Sequence, residues 1–167
     1  AQSFKVKEGQ RILFSGGHGA MGYSLPATIG ACIGSGKRTY CFTGDGGLQM
    51  NIQELQFINR EKLPVTVILF NNNALGMIRH FQEMYFNDNY YQTVPSGGYD
   101  NPDFRKLAEA YGFNYKKIND VGELVEMNND TPTFIEVVLN EPTYVFPKLE
   151  FGKPNQDQEP LLDRELF

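Results

Sequence analysis

Two polar turns hold the residues best placed to do chemistry. Gly44-Asp45-Gly46 follows the β-rich run TYCFT, and Asn71-Asn72-Asn73 follows the apolar run PVTVILF. Asp45 and Asn72 lie 27 residues apart, enough for one helix and one strand between them. If the two runs are adjacent parallel strands, both side chains reach one sheet edge. A carboxylate, an amide oxygen and a nearby backbone carbonyl then form a hard oxygen site. Mg²⁺ favours such a site and commonly shares its shell with phosphate oxygens and water. A helix opening after Gly46 would add free N–H groups and a positive dipole end for a diphosphate. Gly44, Gly46 and Gly47 let backbone approach a ligand closely. Each turn alone would be ordinary turn chemistry. The pairing and the spacing give them meaning.

A second pattern competes. Gly17-x-Gly19-x-x-Gly22 fits a dinucleotide fingerprint, and Asp45 follows Gly22 by 23 residues, near the spacing of a ribose-binding acid. That reading predicts a Rossmann-type module. It leaves the Asn triplet without a role and places its acid between glycines.

The elements that must position these residues read as alternating helices and strands. Residues 11–15 form a short apolar run, either a strand or an ordered lead-in, and 16–22 a glycine loop. Residues 23–33 read as a small-residue helix with Pro26 in its first turn. Strands are expected at 39–43, 64–70, 114–118 and 133–139. The second of these is nearly all apolar and β-branched, like a strand covered on both faces. Helices are expected at 51–59, 74–86, 103–111 and 120–127. Asp103 stands at the N-cap of the third, with Gly112 just past its end. A polar, tyrosine-rich loop spans 87–102, and a proline-rich, charged tail follows 140. The expected class is α/β, with a mainly parallel sheet and helices on both faces. Ligands in such folds sit beyond the carboxyl ends of the strands.

The 167 residues suit one domain. The net charge of −5 and scattered basic residues argue against nucleic-acid binding. No apolar run approaches the length needed to cross a bilayer. Cys32 and Cys41 lie in apolar stretches without metal-ligand spacing, as expected of buried thiols in a reducing cytoplasm.

GDGGLQMNIQEL followed by LFNNNALGMI resembles the thiamine-diphosphate signature. SGGHGAMGYSLPATIGA and LGMIRHFQ resemble the matching stretches of acetolactate synthases, also called acetohydroxyacid synthases. The resemblance implies a thiamine-diphosphate-binding fold over residues 1–140, the diphosphate domain, with 141–167 as an extended tail. It implies thiamine diphosphate and Mg²⁺ as cofactors, with Asp45, the Asn72 side chain and the Ala74 carbonyl on the metal. Gly19 would accept a bond from the cofactor's 4′-amine, and Met21 would wedge between its rings. Gly44, Gly46, Gly47, Gly76 and Met77 complete the cofactor-binding set. The implied reaction is decarboxylation of a 2-oxo acid such as pyruvate and ligation of the enamine to a second 2-oxo acid. Other decarboxylases or oxidoreductases using this cofactor remain alternatives.

Two residues depart from the pattern. His18 replaces the usual leucine beside Gly19, where it would touch substrate or donate a proton. Phe81 stands where plant and fungal members carry a tryptophan of the second-substrate pocket. The resemblance also implies a separate pyrimidine-binding domain, from the same or a partner subunit, and a homodimer or homotetramer. The family's first strand–helix unit, with its GQ-x-Q-like motif, is not matched here. The chain is therefore expected to be the C-terminal piece of a longer enzyme and inactive alone.

Overall fold

The structure is a computed structural model that describes residues 4–123, 131–154, 157–160, 163 and 165. Four parallel strands make one sheet in the order β1-β2-β4-β3. They are β1 (Thr39–Gly44), β2 (Val65–Asn71), β3 (Asn114–Ile118) and β4 (Thr133–Val138). β2 and β4 occupy the centre, and their β-branched runs are buried along almost their whole length. Continuous apolar strands are what a centrally placed parallel strand requires.

The helices are α1 (Ser24–Ser35), α2 (Asp45–Gln49), α3 (Glu54–Arg60), α4 (Gly76–Tyr85) and α5 (Phe104–Ala110). α1, α3 and α5 bury Leu25, Ile29, Leu55, Ile58, Phe104 and Ala108 against Cys41, Val65, Val67, Leu69 and Phe134 of one sheet face. Ile68, Ile118, Ile135 and Val137 form a smaller cluster on the opposite face. Phe42 and Phe70 stack there at 6.2 Å, and both remain partly exposed. Both cysteines are free and buried. No helix among the described residues is long and apolar enough to cross a membrane.

The expected elements recur with shifted ends. α1 carries Pro26 in its first turn, and Gly36 closes it in the left-handed conformation. Asp103 caps α5 by accepting from the Arg105 and Lys106 amides at 3.1 Å each. Of the two alternatives for residues 11–15, the structure shows the lead-in, without strand pairing. Two expectations change. The helix expected at 51–59 begins later, as α3 from Glu54, because residues 51–53 form a turn after the separate short helix α2 that Asp45 starts. The helix expected at 120–127 is a 3₁₀ turn over Val121–Glu123, and its remainder lies outside the described residues.

Candidate functional site

The β1–β2 register pairs Gly44 with Phe70, so Asp45 and Asn71 leave the sheet side by side. This is the carboxyl edge, where the two polar turns were expected. Asp45 is 2% exposed. Its Oδ1 accepts from the Gly46 amide at 2.9 Å, and its Oδ2 accepts from the Ala74 amide at 3.1 Å. The second contact joins the β1 turn to the β2 turn directly. Asn72 Oδ1 also faces the Ala74 amide, at 3.2 Å. Asn72 Nδ2 donates to Thr143 Oγ1 at 3.0 Å, which aims the amide oxygen of Asn72 toward Ala74. Ala74 is itself buried. Asp45, Asn72 and Ala74 therefore meet in one place.

The glycine loop reaches the same site. Gly22 has a φ of +84°, and its carbonyl accepts from Asn51 Nδ2 at 2.9 Å. Asn51 sits between α2 and α3, so this bond ties the loop to the helix that Asp45 begins. A methyl group added at Gly46 would press on Leu75 and lie 3.4 Å from Met21 Cε and 3.6 Å from the Tyr99 hydroxyl. One added at Gly47 would lie 3.3 Å from Thr43 Oγ1, and one at Gly76 would lie 2.9 Å from Asn72 Nδ2. Gly44 precedes α2 in extended backbone. α2 is only five residues long. Its anion-binding capacity therefore lies in individual N–H groups more than in an accumulated dipole.

Other expected residues are more exposed. His18 is exposed. Gly19 is exposed with a φ of +63°, and open space surrounds it. Met21 and Met77 are about half exposed, at 47% and 55%. Phe81 stacks on Tyr85 and on Phe151 of the tail, at 5.9 and 5.1 Å. A cleft between α4 and the tail is lined by His80, Glu83, Tyr144 and Phe146, and none of the expected site residues borders it.

The structure adds residues that sequence reasoning missed. Asn101 Nδ2 donates to Asp45 Oδ2 at 2.9 Å. The Tyr99 hydroxyl donates to Asn101 Oδ1 at 3.0 Å, and burial followed by the Asp45 charge pushes that phenol's pKa up. Behind Asn71, the buried Glu136 accepts from Asn71 Nδ2 at 2.8 Å and from the Tyr115 hydroxyl. Asn101-Pro102 before a capped helix was the one local signal, since a proline holds its predecessor extended. Nothing in the loop's spacing pointed to Asp45.

The donor set fits a divalent cation. Two carboxylate oxygens accept three hydrogen bonds, as an ionised group does. All three donors are neutral, and among the described residues no basic side chain pairs with Asp45. Burying a charge without a counter-charge is costly. A hard cation held by Asp45 and neighbouring oxygens would supply that charge.

Comparison with known proteins identifies the family. Residues 1–137 match the family model described as "Thiamine pyrophosphate enzyme, C-terminal TPP binding domain", and the chain belongs to that family. The acetolactate synthase large subunit of Lactococcus lactis is 36% identical over 158 residues, covering 91% of this chain and 27% of that protein. The acetolactate synthase isozyme 2 large subunit of Escherichia coli is 33% identical over 163 residues, covering 94% and 29%. A solved thiamine diphosphate-dependent 4-hydroxybenzoylformate decarboxylase from Rhodococcus jostii superposes with a TM-score of 0.61 at 30% identity, covering 72% of this chain and 23% of that chain. The chain thus spans between a quarter and a third of the length of these curated relatives. The Rossmann reading falls with this match. Among the described residues no strand precedes the glycine loop, and the Asp45 carboxylate points into the β1–β2 edge.

Proposed function

We propose that this chain is the thiamine-diphosphate- and Mg²⁺-binding part of an acetolactate synthase-like enzyme. Residues 1–140 form the binding domain and 141–167 the tail, whose Tyr144, Phe146 and Phe151 pack on α4. Asp45, Asn72 and the Ala74 carbonyl hold Mg²⁺, while the backbone at Gly44, Gly46, Gly47 and Gly76 contacts the cofactor, Gly46 and Gly47 at its diphosphate. Met21 and Met77 offer apolar surface to the rings, with Gly19 and His18 on the exposed loop beside them. The observation that carries this reading is the buried Asp45 carboxyl, met by neutral donors alone at the carboxyl edge.

When bound, the cofactor supplies a carbon nucleophile and an electron sink for decarboxylating a 2-oxo acid. This chain's residues bind and orient. Asp45 and Asn72 fix the cation, and the seated glycine loop fixes Met21 against Gly46. A pyrimidine-binding domain of the same or a partner subunit completes the site, in a homodimer or homotetramer working in the cytoplasm. The substrates are pyruvate and a second 2-oxo acid.

Mg²⁺-dependent binding of thiamine diphosphate to the intact protein, followed by calorimetry, tests the site. Asp45→Ala should abolish that dependence, and retained Mg²⁺-dependent binding would refute the ligand assignment. Product analysis with pyruvate tests the reaction, with acetolactate expected. The likeness to a 4-hydroxybenzoylformate decarboxylase favours a second reading, simple decarboxylation, which aldehyde as the sole product would establish.

A further inference from the structure

The Asp45 carboxylate has a one-sided hydrogen-bond inventory. Its Oδ2 accepts two donors, the Ala74 amide at 3.1 Å and Asn101 Nδ2 at 2.9 Å. Its Oδ1 accepts one, the Gly46 amide at 2.9 Å. An ionised carboxylate offers about four lone-pair sites, two on each oxygen. Oδ2 is therefore full by direct hydrogen bonds, and the open capacity lies on Oδ1.

Asn101 is held firmly for this task. Its Oδ1 accepts from the Tyr99 hydroxyl at 3.0 Å and from Gln49 Nε2 at 3.3 Å. These two donors settle which end of the amide faces Asp45. Asn101 Nδ2 also lies 3.2 Å from Asn71 Oδ1 and 3.1 Å from Asn73 Oδ1, so one nitrogen gathers both polar turns. The backbone is restrained as well, because Pro102 follows and Asp103 caps α5 immediately after it. The loop is fastened to the start of α4 by the Leu75 amide, which donates to the Thr93 carbonyl at 2.9 Å.

We propose that Asn101 is a positioning residue and a selectivity determinant of the cation site. By occupying Oδ2, it presents Asp45 to the metal as a one-oxygen ligand through Oδ1. Mg²⁺ demands compact octahedral geometry, whereas the larger Ca²⁺ accepts two-oxygen carboxylates and more ligands. A carboxylate with one oxygen closed favours the smaller ion. The inference rests on the Mg²⁺ reading above, and its test separates the two.

The test is titration of the intact protein with Mn²⁺ in the presence of thiamine diphosphate, read by the electron paramagnetic resonance of bound ion. Mg²⁺ and Ca²⁺ are then measured as competitors, and no turnover is needed. Asn101→Ala should weaken Mn²⁺ and Mg²⁺ by about 10–100-fold, the usual effect of removing an outer-shell partner. Ca²⁺ should lose less, so the preference for Mg²⁺ over Ca²⁺ narrows. Asn101→Leu, which keeps side-chain volume without the donor, should behave the same way. Tyr99→Phe, which removes a donor to the Asn101 amide oxygen, should fall between wild type and Asn101→Ala. Wild-type affinity and ion preference in both Asn101 variants would overturn the proposal while leaving the Mg²⁺ reading intact. An equal loss for all three ions, with a lower melting temperature before any ion is added, would also overturn it, since that is a structural effect. Absence of Mn²⁺ binding in the wild type would overturn the Mg²⁺ reading itself.

Discussion

Gly22→Ala tests whether the glycine loop is seated on the helix that Asp45 begins. Gly22 has a φ of +84°, which side chains rarely adopt, and it is buried. A methyl group there would lie 2.7 Å from Met50 Cβ and 2.8 Å from Asn51 Nδ2. Met50 Cβ is fixed to backbone and cannot swing away. Asn51 cannot retreat without losing its 2.9 Å bond to the Gly22 carbonyl. The left-handed backbone costs an L-residue about 1–2 kcal/mol. Crowding a well-packed contact adds about 1–3 kcal/mol. The expected destabilisation is therefore roughly 2–5 kcal/mol, a large share of the 5–15 kcal/mol typical of a whole domain.

The matched control is Gly17→Ala. Gly17 has ordinary φ and nothing within 4 Å of an added methyl. Its change should stay within about 0.5 kcal/mol, as for a surface site. The chain has no tryptophan, so urea unfolding is best followed by far-ultraviolet circular dichroism. Equal midpoints for Gly22→Ala and Gly17→Ala at unchanged slope would refute the seating argument. A second readout is thiamine diphosphate affinity. Gly22→Ala should weaken it even below the unfolding transition, because Met21 moves with the loop.

Two further outcomes are expected. Phe134 is fully buried at the sheet centre, with the rings of Phe104, Phe113 and Tyr115 at 6.3–6.5 Å. Phe134→Ala should cost about 3–5 kcal/mol by urea unfolding, and a loss below about 1 kcal/mol would mean this cluster collapses around the gap. Stability should also fall in alkali. Burial raises the Cys41 thiol above its ordinary 9.0, and burial with the Glu136 bond raises the Tyr115 phenol above its ordinary 10.0. The folded chain keeps these protons after the unfolded chain has released them. The stabilisation is whole below about pH 9 and is lost as pH rises past it. Melting temperatures at about pH 8 and pH 10.5 check this, and Cys41→Ala should flatten the first part of the decline. A flat profile in the unmodified chain would contradict it.

The sheet was legible because its information is local. Val65–Asn71 and Thr133–Val138 are apolar for nearly their whole length, and only a central parallel strand buries such a run on both sides. Asp45 and Asn72 were legible for a related reason. Strand ends followed by glycine or asparagine turns place polar groups at one edge, whatever the loops between them do. The ends of α2 and α3 were not legible, because the periodic residues from Ile52 onward said nothing about the tight turn that Asp45 starts.

Asn101, Thr143 and Glu136 were hidden for a different reason. Each acts through a partner 56, 71 or 65 residues distant in sequence. Glu136 shows the difficulty most clearly. In TFIEVVL it reads as an occasional polar residue on a strand, yet it is 5% exposed. A carboxylate can be that deeply buried only if its lone pairs are met, and Asn71 Nδ2 and the Tyr115 hydroxyl meet them. In holding the Asn71 amide, Glu136 turns the Asn71 oxygen outward to the Asn73 amide and to Asn101 Nδ2. The orientation of the group that closes Oδ2 of Asp45 is thus set partly from beneath the sheet edge. A one-dimensional pattern records the residues at the edge but not the buried acid that fixes their amides.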